Sequence, residues 1–316
     1  MKKYNNLLAV IEPKRDYQVA LKRAIEFARY NPNATITALR LIYDFSYDIH
    51  ILNRKKENST KEEVERVHLE ALEAEIKKYA NPDVHIIPKV IWAKDLGEAI
   101  IDEMINGNYD LLIKGANRHG VLDSIIFTPI DWYLLRNSPT PVVIAKEHPW
   151  DASGNIVVAL DFTSGQKRNT NIKLLREAQM LATITKGKIH LINSAPVLLP
   201  TVMLEVPNYA PEVYAESILK EHQRRLIEFA KQHNIPPEQC HIEEGLPEDV
   251  IPNLCRVLAP QAVLIGSAGR SGFPLHLSAI PVKKSWTTLM PTCLCITTRP
   301  SMKIKTKKIL TLDNSP

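Results

Sequence analysis

Three of the chain's 11 glycines fall within seven residues, in a window that reads Gly-Ser-Ala-Gly-Arg-Ser-Gly and follows a short apolar run. Glycines let a backbone turn tightly and expose its N–H groups to a phosphate, and serine and arginine add further donors. The window therefore predicts a phosphate- or nucleotide-binding loop. The residues of this candidate site are Gly266, Ser267, Gly269, Arg270 and Gly272. An ordinary turn without a ligand is the alternative interpretation.

Asp161 completes this candidate site, because it directly follows another apolar run, Ile156–Leu160. A carboxylate at the end of a strand can accept a hydrogen bond from a ribose hydroxyl or an adenine amino group. It can equally cap the helix that comes next. The spacing alone leaves both interpretations open.

Motifs of known catalytic and metal sites are absent from the sequence or incomplete. The segment from Gly115 to Gly120 has the glycine spacing of a phosphate-binding loop, but Val121 stands where that loop requires lysine. Gly-x-Gly-x-x-Gly, His-Glu-x-x-His and Gly-x-Ser-x-Gly do not occur. The ten histidines are scattered singly along the chain. We therefore expect no catalytic residues and no metal site.

The cysteines and the apolar segments indicate the compartment. The four cysteines, Cys240, Cys255, Cys293 and Cys295, form no Cys-x-x-Cys pair, so reduced thiols in the core are favoured over a metal or a disulfide. No apolar run approaches the roughly 18 residues of a membrane span. The first apolar run ends at Glu12, which is too early for a signal peptide. A cytoplasmic protein without a membrane partner is expected.

Most of the net charge of +5 lies in the C-terminal tail. After the last predicted strand, five basic residues and Asp313 leave a net charge of +4 in the tail, so that the rest of the chain is close to +1. A dedicated nucleic-acid-binding protein has a broad basic surface, which this distribution does not provide. A nucleic-acid partner is therefore not expected.

The sequence contains an internal repeat, as a length of 316 residues suggests for two domains of about 150 each. Tyr109–Lys114 resembles Gln261–Gly266, and Ser138–Ile144 resembles Met290–Ile296, both at an offset of 152 residues. An acid, Glu12 or Asp161, ends the first apolar run of each half. The repeat predicts two copies of one fold.

Within each half, short apolar runs alternate with helical patterns. In the first half, strands are predicted at Leu7–Ile11, Thr35–Leu41, Val84–Val90, Tyr109–Ile113 and Pro141–Ala145. Helices are predicted from Asp16 to about Tyr30, from Ser59 or Thr60, at Glu98–Ile105 and at 129–137. Glu63 is placed to form a capping box at the start of the second of these helices. The second half is predicted to contain strands at Ile156–Leu160, 188–193, about 240–243, Ala262–Ile265 and Leu294–Thr297, and helices at 167–186, 211–234, about 247–257 and about 281–289.

This alternation predicts an α/β protein with two tandem, doubly wound, five-stranded parallel sheets. Strands made almost entirely of Val, Ile, Leu and Ala indicate that helices cover both faces of each sheet. Such sheets bind ligands beyond the carboxyl ends of their strands, at the point between the first and fourth strands where the strand order reverses. The candidate loop and Asp161 both follow strands that meet there.

Several segments resemble the universal stress proteins in their tandem-domain form. They are LIYDFSY (Leu41–Tyr47), IIFTPIDWYLLR (Ile125–Arg136) and GLPEDVIPNL (Gly245–Leu254), within a similarity from about Lys3 to Arg299. The resemblance implies strand order 3-2-1-4-5, domains at 1–150 and 151–300, a basic tail at 301–316, and halves paired through their fifth strands. It also implies a non-catalytic protein that supports survival under growth arrest and DNA-damaging stress, with a homodimer as a further expectation.

Nucleotide-binding universal stress proteins carry Gly-x-x-Gly, nine residues, and then Gly followed by Ser or Thr. The second half keeps Gly266 and Gly269 but has Ala279-Ile280 at the closing pair. In the first half, Lys114 and Asn117 are expected in place of the two glycines, and Phe127-Thr128 in place of the closing pair. The resemblance thus leaves ATP or ADP as a ligand of the second half only.

An apolar small molecule is the alternative ligand. The loop Pro196–Pro207 contains three prolines and many apolar residues, and the corresponding loop of the first half carries Tyr43, Phe45 and Tyr47. Such loops can enclose an apolar cavity over the sheet ends or can cover the core without a ligand. The sequence leaves both interpretations open.

Overall fold

The computed structural model describes residues 4–13, 15–43, 54–79, 83–119, 122–126, 128–147, 149–196, 211–266 and 292–296. Its strands are β1 (Asn6–Ile11), β2 (Thr35–Ile42), β3 (His85–Trp92), β4 (Leu111–Gly115), β5 (Asn117–His119), β6 (Leu122–Ile126), β7 (Val142–Ala145), β8 (Asn155–Leu160), β9 (Lys188–Ala195), β10 (Cys240–Glu244), β11 (Ala262–Gly266) and β12 (Thr292–Ile296). Its α-helices are α1 (Val19–Ala28), α2 (Arg54–Lys77), α3 (Leu96–Asn106), α4 (Pro129–Asn137), α5 (Arg168–Thr185), α6 (Pro211–Gln232) and α7 (Pro247–Leu258).

Each half contains a five-stranded parallel sheet with the expected strand order. The first is β3-β2-β1-β4-β7 and the second is β10-β9-β8-β11-β12, so 3-2-1-4-5 is confirmed in both halves. The fifth strands β7 and β12 pair antiparallel, with Val143 opposite Leu294. The two parallel sheets therefore join edge to edge into one sheet of ten strands.

Helices cover both faces of this sheet, so the residues of its inner strands, such as β1 and β4, are almost all buried. Alternate residues of β1, such as Leu7 and Leu8, belong to two different clusters of buried side chains. The first core cluster lies under α1, α2, α5 and α6, and the second lies under α3, α4 and α7. Each cluster contains residues of both halves, so the hydrophobic effect that stabilises one half also acts on the other.

Two helices begin elsewhere than the sequence predicted. Gln18, and not Asp16, is the residue before the first turn of α1, because the Gln18 side chain is held by the loop that precedes the helix. Helix α2 already includes Arg54, so the predicted start at Ser59 or Thr60 and the capping box with Glu63 are wrong. The Glu63 carboxylate instead forms an ion pair with Arg66, one turn further along the helix. Both expectations relied on local capping signals, which tertiary contacts override.

A short antiparallel hairpin, β5–β6, follows β4 and was not predicted. Asn117 pairs with Ile126 and Arg118 with Ile125. The predicted helix near 281–289 lies outside the described residues, as do the loop at 197–207, residues 45–47 and the basic tail. No helix among the described residues is long and apolar enough to cross a membrane.

Two of the four cysteines have described side chains, and both are free thiols. Cys255 is buried in the second core cluster, and burial raises its pKa to about 12. Cys240 is partly exposed, and burial together with the nearby Glu238 carboxylate raises its pKa to about 11. Both thiols are therefore protonated at neutral pH, as expected for structural cysteines.

We expect the backbone amides of β7 to exchange with solvent more slowly than those of β3 and β10. Strand β7 lies between β4 and β12, so its backbone groups are bonded on both sides, whereas β3 and β10 are edge strands. Hydrogen–deuterium exchange with mass spectrometry on the whole protein measures this difference. Exchange in β7 as fast as in the edge strands would mean that the two halves are not joined in solution.

Candidate functional site

The carboxyl ends of β8 and β11 bring together part of the predicted site. Asp161 follows β8, and Gly266 is the last residue of β11. Ser267, Gly269, Arg270 and Gly272 lie outside the described residues, as does the Ala279-Ile280 pair. The site is therefore described from Asp161, Gly266 and their neighbours, and by comparison with the equivalent place in the first half.

Strand pairing fixes which residues of the two fourth strands are equivalent. Leu7, five positions before Glu12, pairs with Leu111 in β4. Ile156, five positions before Asp161, pairs with Ala262 in β11. Leu111 and Ala262 both belong to the first core cluster. Counting four residues on from each makes Gly115 the counterpart of Gly266. The expected equivalence of Lys114 with Gly266 is therefore wrong by one residue.

The error has a physical origin in the burial of the strand. A strand buried on both faces has no polar–apolar alternation, so a slip of one residue leaves no trace in the sequence. In the corrected register, Lys114 is equivalent to the buried Ile265 of the second half. Arg118, and not Asn117, is equivalent to Gly269. The backbone of Arg118 is part of the β5–β6 hairpin and is paired with Ile125.

Lys114 is a buried cation at the end of β4, and two carboxylates neutralise it. Its side chain is 8% exposed, and Nζ lies 2.9 Å from Asp131 Oδ1 and 3.6 Å from Glu12 Oε1. Nζ also donates a hydrogen bond to the carbonyl of Gly115 at 3.0 Å. A buried charge needs such partners, because its desolvation would otherwise be costly.

The Asp131 carboxylate occupies the N-terminus of α4, which is the place where a helix attracts an anion. Asp131 Oδ2 accepts hydrogen bonds from the N–H of Thr128 at 2.7 Å and from its hydroxyl at 2.8 Å, and Thr128 Oγ1 caps the helix in return. The Asp131 side chain is fully buried. The Lys114–Asp131 ion pair thus occupies the place where a bound phosphate would need space and hydrogen-bond donors.

Arg15 closes the rest of the first-half crevice. Its guanidinium pairs with the Glu12 carboxylate and donates from Nη2 to the carbonyl of Ala116 at 2.7 Å, so that it bridges the ends of β1 and β4. A Cβ on Gly115 would meet Arg15 Nη1 at 3.3 Å and Glu12 Oε1 at 3.6 Å. These contacts show that the ion pair lies directly over the backbone of Gly115.

An amide side chain holds the acid of each half, and sequence reasoning missed both amides. Gln18 Oε1 accepts from the N–H of Glu12 at 3.0 Å, and Gln18 Nε2 donates to the Glu12 carbonyl at 2.8 Å. Asn171 makes the same two contacts with the backbone of Asp161, at 3.1 and 2.9 Å. The signal in the sequence was an amide in or just before the first turn of the helix that follows each acid.

Asp161 is not closed off in the way that Glu12 is. Its side chain is 43% exposed, and Oδ1 accepts from the N–H of Thr163 at 2.9 Å and from the Thr163 hydroxyl at 2.6 Å. Oδ2 lies 3.6 Å from Lys167 Nζ. These partners all lie in the segment that follows β8, and the carboxylate remains partly exposed to solvent at the end of the strand.

A buried histidine, His222, stabilises the end of β8 through Asn193. His222 of α6 lies with Nδ1 2.9 Å from Asn193 Oδ1, and Asn193 Nδ2 donates to the carbonyl of Leu160 at 2.8 Å. The His222 residue is 7% exposed. Burial, together with the positive charge of Arg225, lowers the pKa of His222. The uncharged imidazole therefore fixes Asn193 and, through it, the end of β8.

Comparison of the sequence with known proteins agrees with this architecture. The model of the universal stress protein family matches residues 3–146 and 153–277. Universal stress protein E of Photorhabdus laumondii is 36% identical over 277 residues, which cover 86% of this chain and 88% of that protein. Universal stress protein E of Escherichia coli K12 is 35% identical over 276 residues, which cover 86% and 87%.

Solved structures share the fold along most of the chain. A universal stress protein of Archaeoglobus fulgidus superposes with a TM-score of 0.54 at 16% identity and covers 93% of this chain and 96% of its own. A Pseudomonas aeruginosa chain that carries the universal stress protein name gives a TM-score of 0.67 at 23% identity, with 93% of each chain covered. At these identities the likeness concerns the fold alone.

We expect Lys114→Met to lower the free energy of unfolding by about 3–5 kcal/mol, because it leaves the buried Asp131 charge without its cation. The double variant Lys114→Met/Asp131→Asn removes both charges while an amide oxygen can still accept from Thr128, so it should recover much of that loss. Urea unfolding followed by circular dichroism measures the three proteins.

Lys220→Met is the matched control for this prediction, since Lys220 pairs with Glu216 on the exposed surface of α6. It should leave stability unchanged. Equal stability of Lys114→Met and the wild type would show that the buried pair does not form.

Proposed function

The chain belongs to the universal stress protein family, and on this premise we propose that it is a non-catalytic stress-response protein with one ligand-responsive half. In this proposal, the second half binds a small molecule at the carboxyl ends of β8 and β11. The first half is a structural partner. The protein supports survival under growth arrest and DNA-damaging stress, according to whether the ligand is bound.

The different state of the two crevices is the observation that carries the proposal. In the first half, Glu12, Arg15, Lys114 and Asp131 form ion pairs with one another across the end of the sheet. In the second half, the equivalent acid, Asp161, remains 43% exposed. A ligand needs accessible polar groups at the sheet end, and of the two equivalent acids Asp161 is the more exposed.

The joined sheet supports transmission of a ligand's effect between the halves. Strands β7 and β12 are paired, and both core clusters run through both halves. Tyr30, which lies just after α1, also donates from its hydroxyl to the carbonyl of Ile184 in α5 at 2.8 Å. Close-packed interiors transmit strain, so a ligand at the end of β8 can bias a surface formed by either half.

Survival assays in the native host test this function. A strain without the gene should lose viability faster than the wild type during prolonged growth arrest and after ultraviolet irradiation, and the wild-type gene should restore it. Complementation with Asp161→Ala should restore survival less well than complementation with Glu238→Ala, an exposed acid of the same half. Equal survival of the deletion strain and the wild type would refute the proposed role.

An adenine nucleotide is the second candidate, as the ligand of a nucleotide-binding protein or weak ATPase. The specific observation is the position of Asp161 and Gly266 at the ends of the first and fourth strands, where the strand order reverses. A Cβ on Gly266 would meet Thr170 Cγ2 at 3.0 Å, so the backbone there approaches α5 closely. Such closeness favours glycine at the start of a loop that could bind phosphate.

We expect Asp161→Ala to weaken ATP binding by about 10-fold or more, because a charged acceptor for the nucleotide is lost. Isothermal titration of the purified protein with ATP measures the affinity, and mass spectrometry after denaturation identifies any nucleotide that co-purifies. Glu238→Ala should bind as the wild type does. Absence of both ATP binding and co-purified nucleotide would remove this candidate and leave the stress-response role to be decided by the survival assay.

A further inference from the structure

Two histidines that are 51 positions apart in the sequence meet on the neighbouring strands β9 and β10. His190 Nδ1 and His241 Nε2 are 3.0 Å apart. The rings are 25° from parallel and their centroids are 5.3 Å apart, so they meet through their nitrogen-bearing edges and not through their faces. The spacing of the histidines along the chain does not reveal this pair, because its two members are far apart in sequence.

Asn155 fixes the orientation of the His190 ring. Asn155 Nδ2 donates to the carbonyl of Leu258 at 2.7 Å, which turns Asn155 Oδ1 toward His190 Nε2 at 3.2 Å. His190 Nε2 must then carry the hydrogen, and the lone pair lies on Nδ1, which faces His241. Metal-binding histidines are held in the same way, by an acceptor for the ring nitrogen that does not bind the metal.

The surroundings keep both rings uncharged. Burial lowers the pKa of His190, and the neighbouring His241 and the ammonium of Lys188 lower it further. Burial alone lowers the pKa of His241. At neutral pH the pair therefore carries no imidazolium charge, and a metal ion has to displace only the hydrogen that His241 Nε2 donates to His190 Nδ1, which moves to His241 Nδ1.

We propose that His190 and His241 bind one divalent transition-metal ion of the kind that favours imidazole, such as Cu²⁺, Ni²⁺ or Zn²⁺. Two nitrogens bound to one ion at about 2.1 Å and at a right angle are about 3.0 Å apart, which matches the separation of this pair. In the metal-free pair the two nitrogens point at each other across a hydrogen bond, so each ring has to tilt for both lone pairs to meet at the ion. Both side chains are partly exposed, so water can supply the remaining ligands.

The two imidazoles are the protein ligands of this site. Among the residues with described side chains, no group of three or more histidine, cysteine or acidic side chains is placed to hold a metal. The nearby Cys240 packs on the opposite face of the sheet, against the first core cluster, and its thiol contacts the carbonyl of Pro236. Asn155 is a positioning residue, because it acts through His190.

The proposed metal site is separate from the candidate ligand site. Asn155 begins β8 and Asp161 follows its end, so the six residues of the strand place about 20 Å between the two sites. The inference does not depend on the proposed function. Failure of either can be recognised without the other.

Titration of the whole, metal-free protein, prepared without a histidine tag, with NiCl₂ at pH 7.5 tests the site. Isothermal calorimetry should show one binding event for the wild type. His241→Gln and His190→Gln should each weaken it by about 10-fold or more, and Asn155→Leu by about 10-fold. Circular dichroism and thermal melting without metal establish that each variant is folded.

His85→Gln is the matched control, since His85 is an exposed histidine on the edge strand β3 of the other half. It should bind Ni²⁺ as the wild type does. Unchanged affinity in folded His241→Gln, or an equal loss in His85→Gln, would overturn the proposal. Broadening of the His190 and His241 imidazole NMR signals by paramagnetic Ni²⁺, with the His85 signals unaffected, gives a second readout that does not depend on a variant.

Discussion

The burial on both faces of the central strands whose side chains are described is the constraint on which the rest of this structure depends. Such strands can present polar side chains to solvent only where they end. In both halves, the acid after the first strand, Glu12 or Asp161, is held there by an amide from the following helix. Because an amide holds the backbone of the acid in the same way in both halves, the duplicated fold sets the position of this acid without a ligand.

The two halves differ in what is placed opposite that acid. In the first half, the strand that ends beside Glu12 carries Lys114, and the second half has the apolar Ile265 at the equivalent position. The lysine is compensated by Asp131 at the N-terminus of α4, so cation and anion are both supplied by the chain. A difference at one strand position thus places an internal ion pair at the end of the first half's sheet, where the second half has an apolar side chain.

The antiparallel pairing of β7 with β12 gives the closed half a structural role. It removes two exposed strand edges, which would otherwise be sites for pairing with other chains. The core clusters that run through both halves make the stability of each depend on the other. The first half is therefore necessary to the fold whether or not it binds a ligand.

The sequence alone determined the fold class and the place of Asp161, because the apolar periodicity and the repeat extend over many residues, and the family resemblance implied the strand order. Local signals did less well: Asp16 and Glu63 were assigned to caps that the structure does not form. Only the tertiary structure decided the register of β4 and the meeting of His190 with His241. The physical reason is that a strand buried on both faces has no alternation to mark its register, and contacts between strands far apart in sequence leave no local pattern.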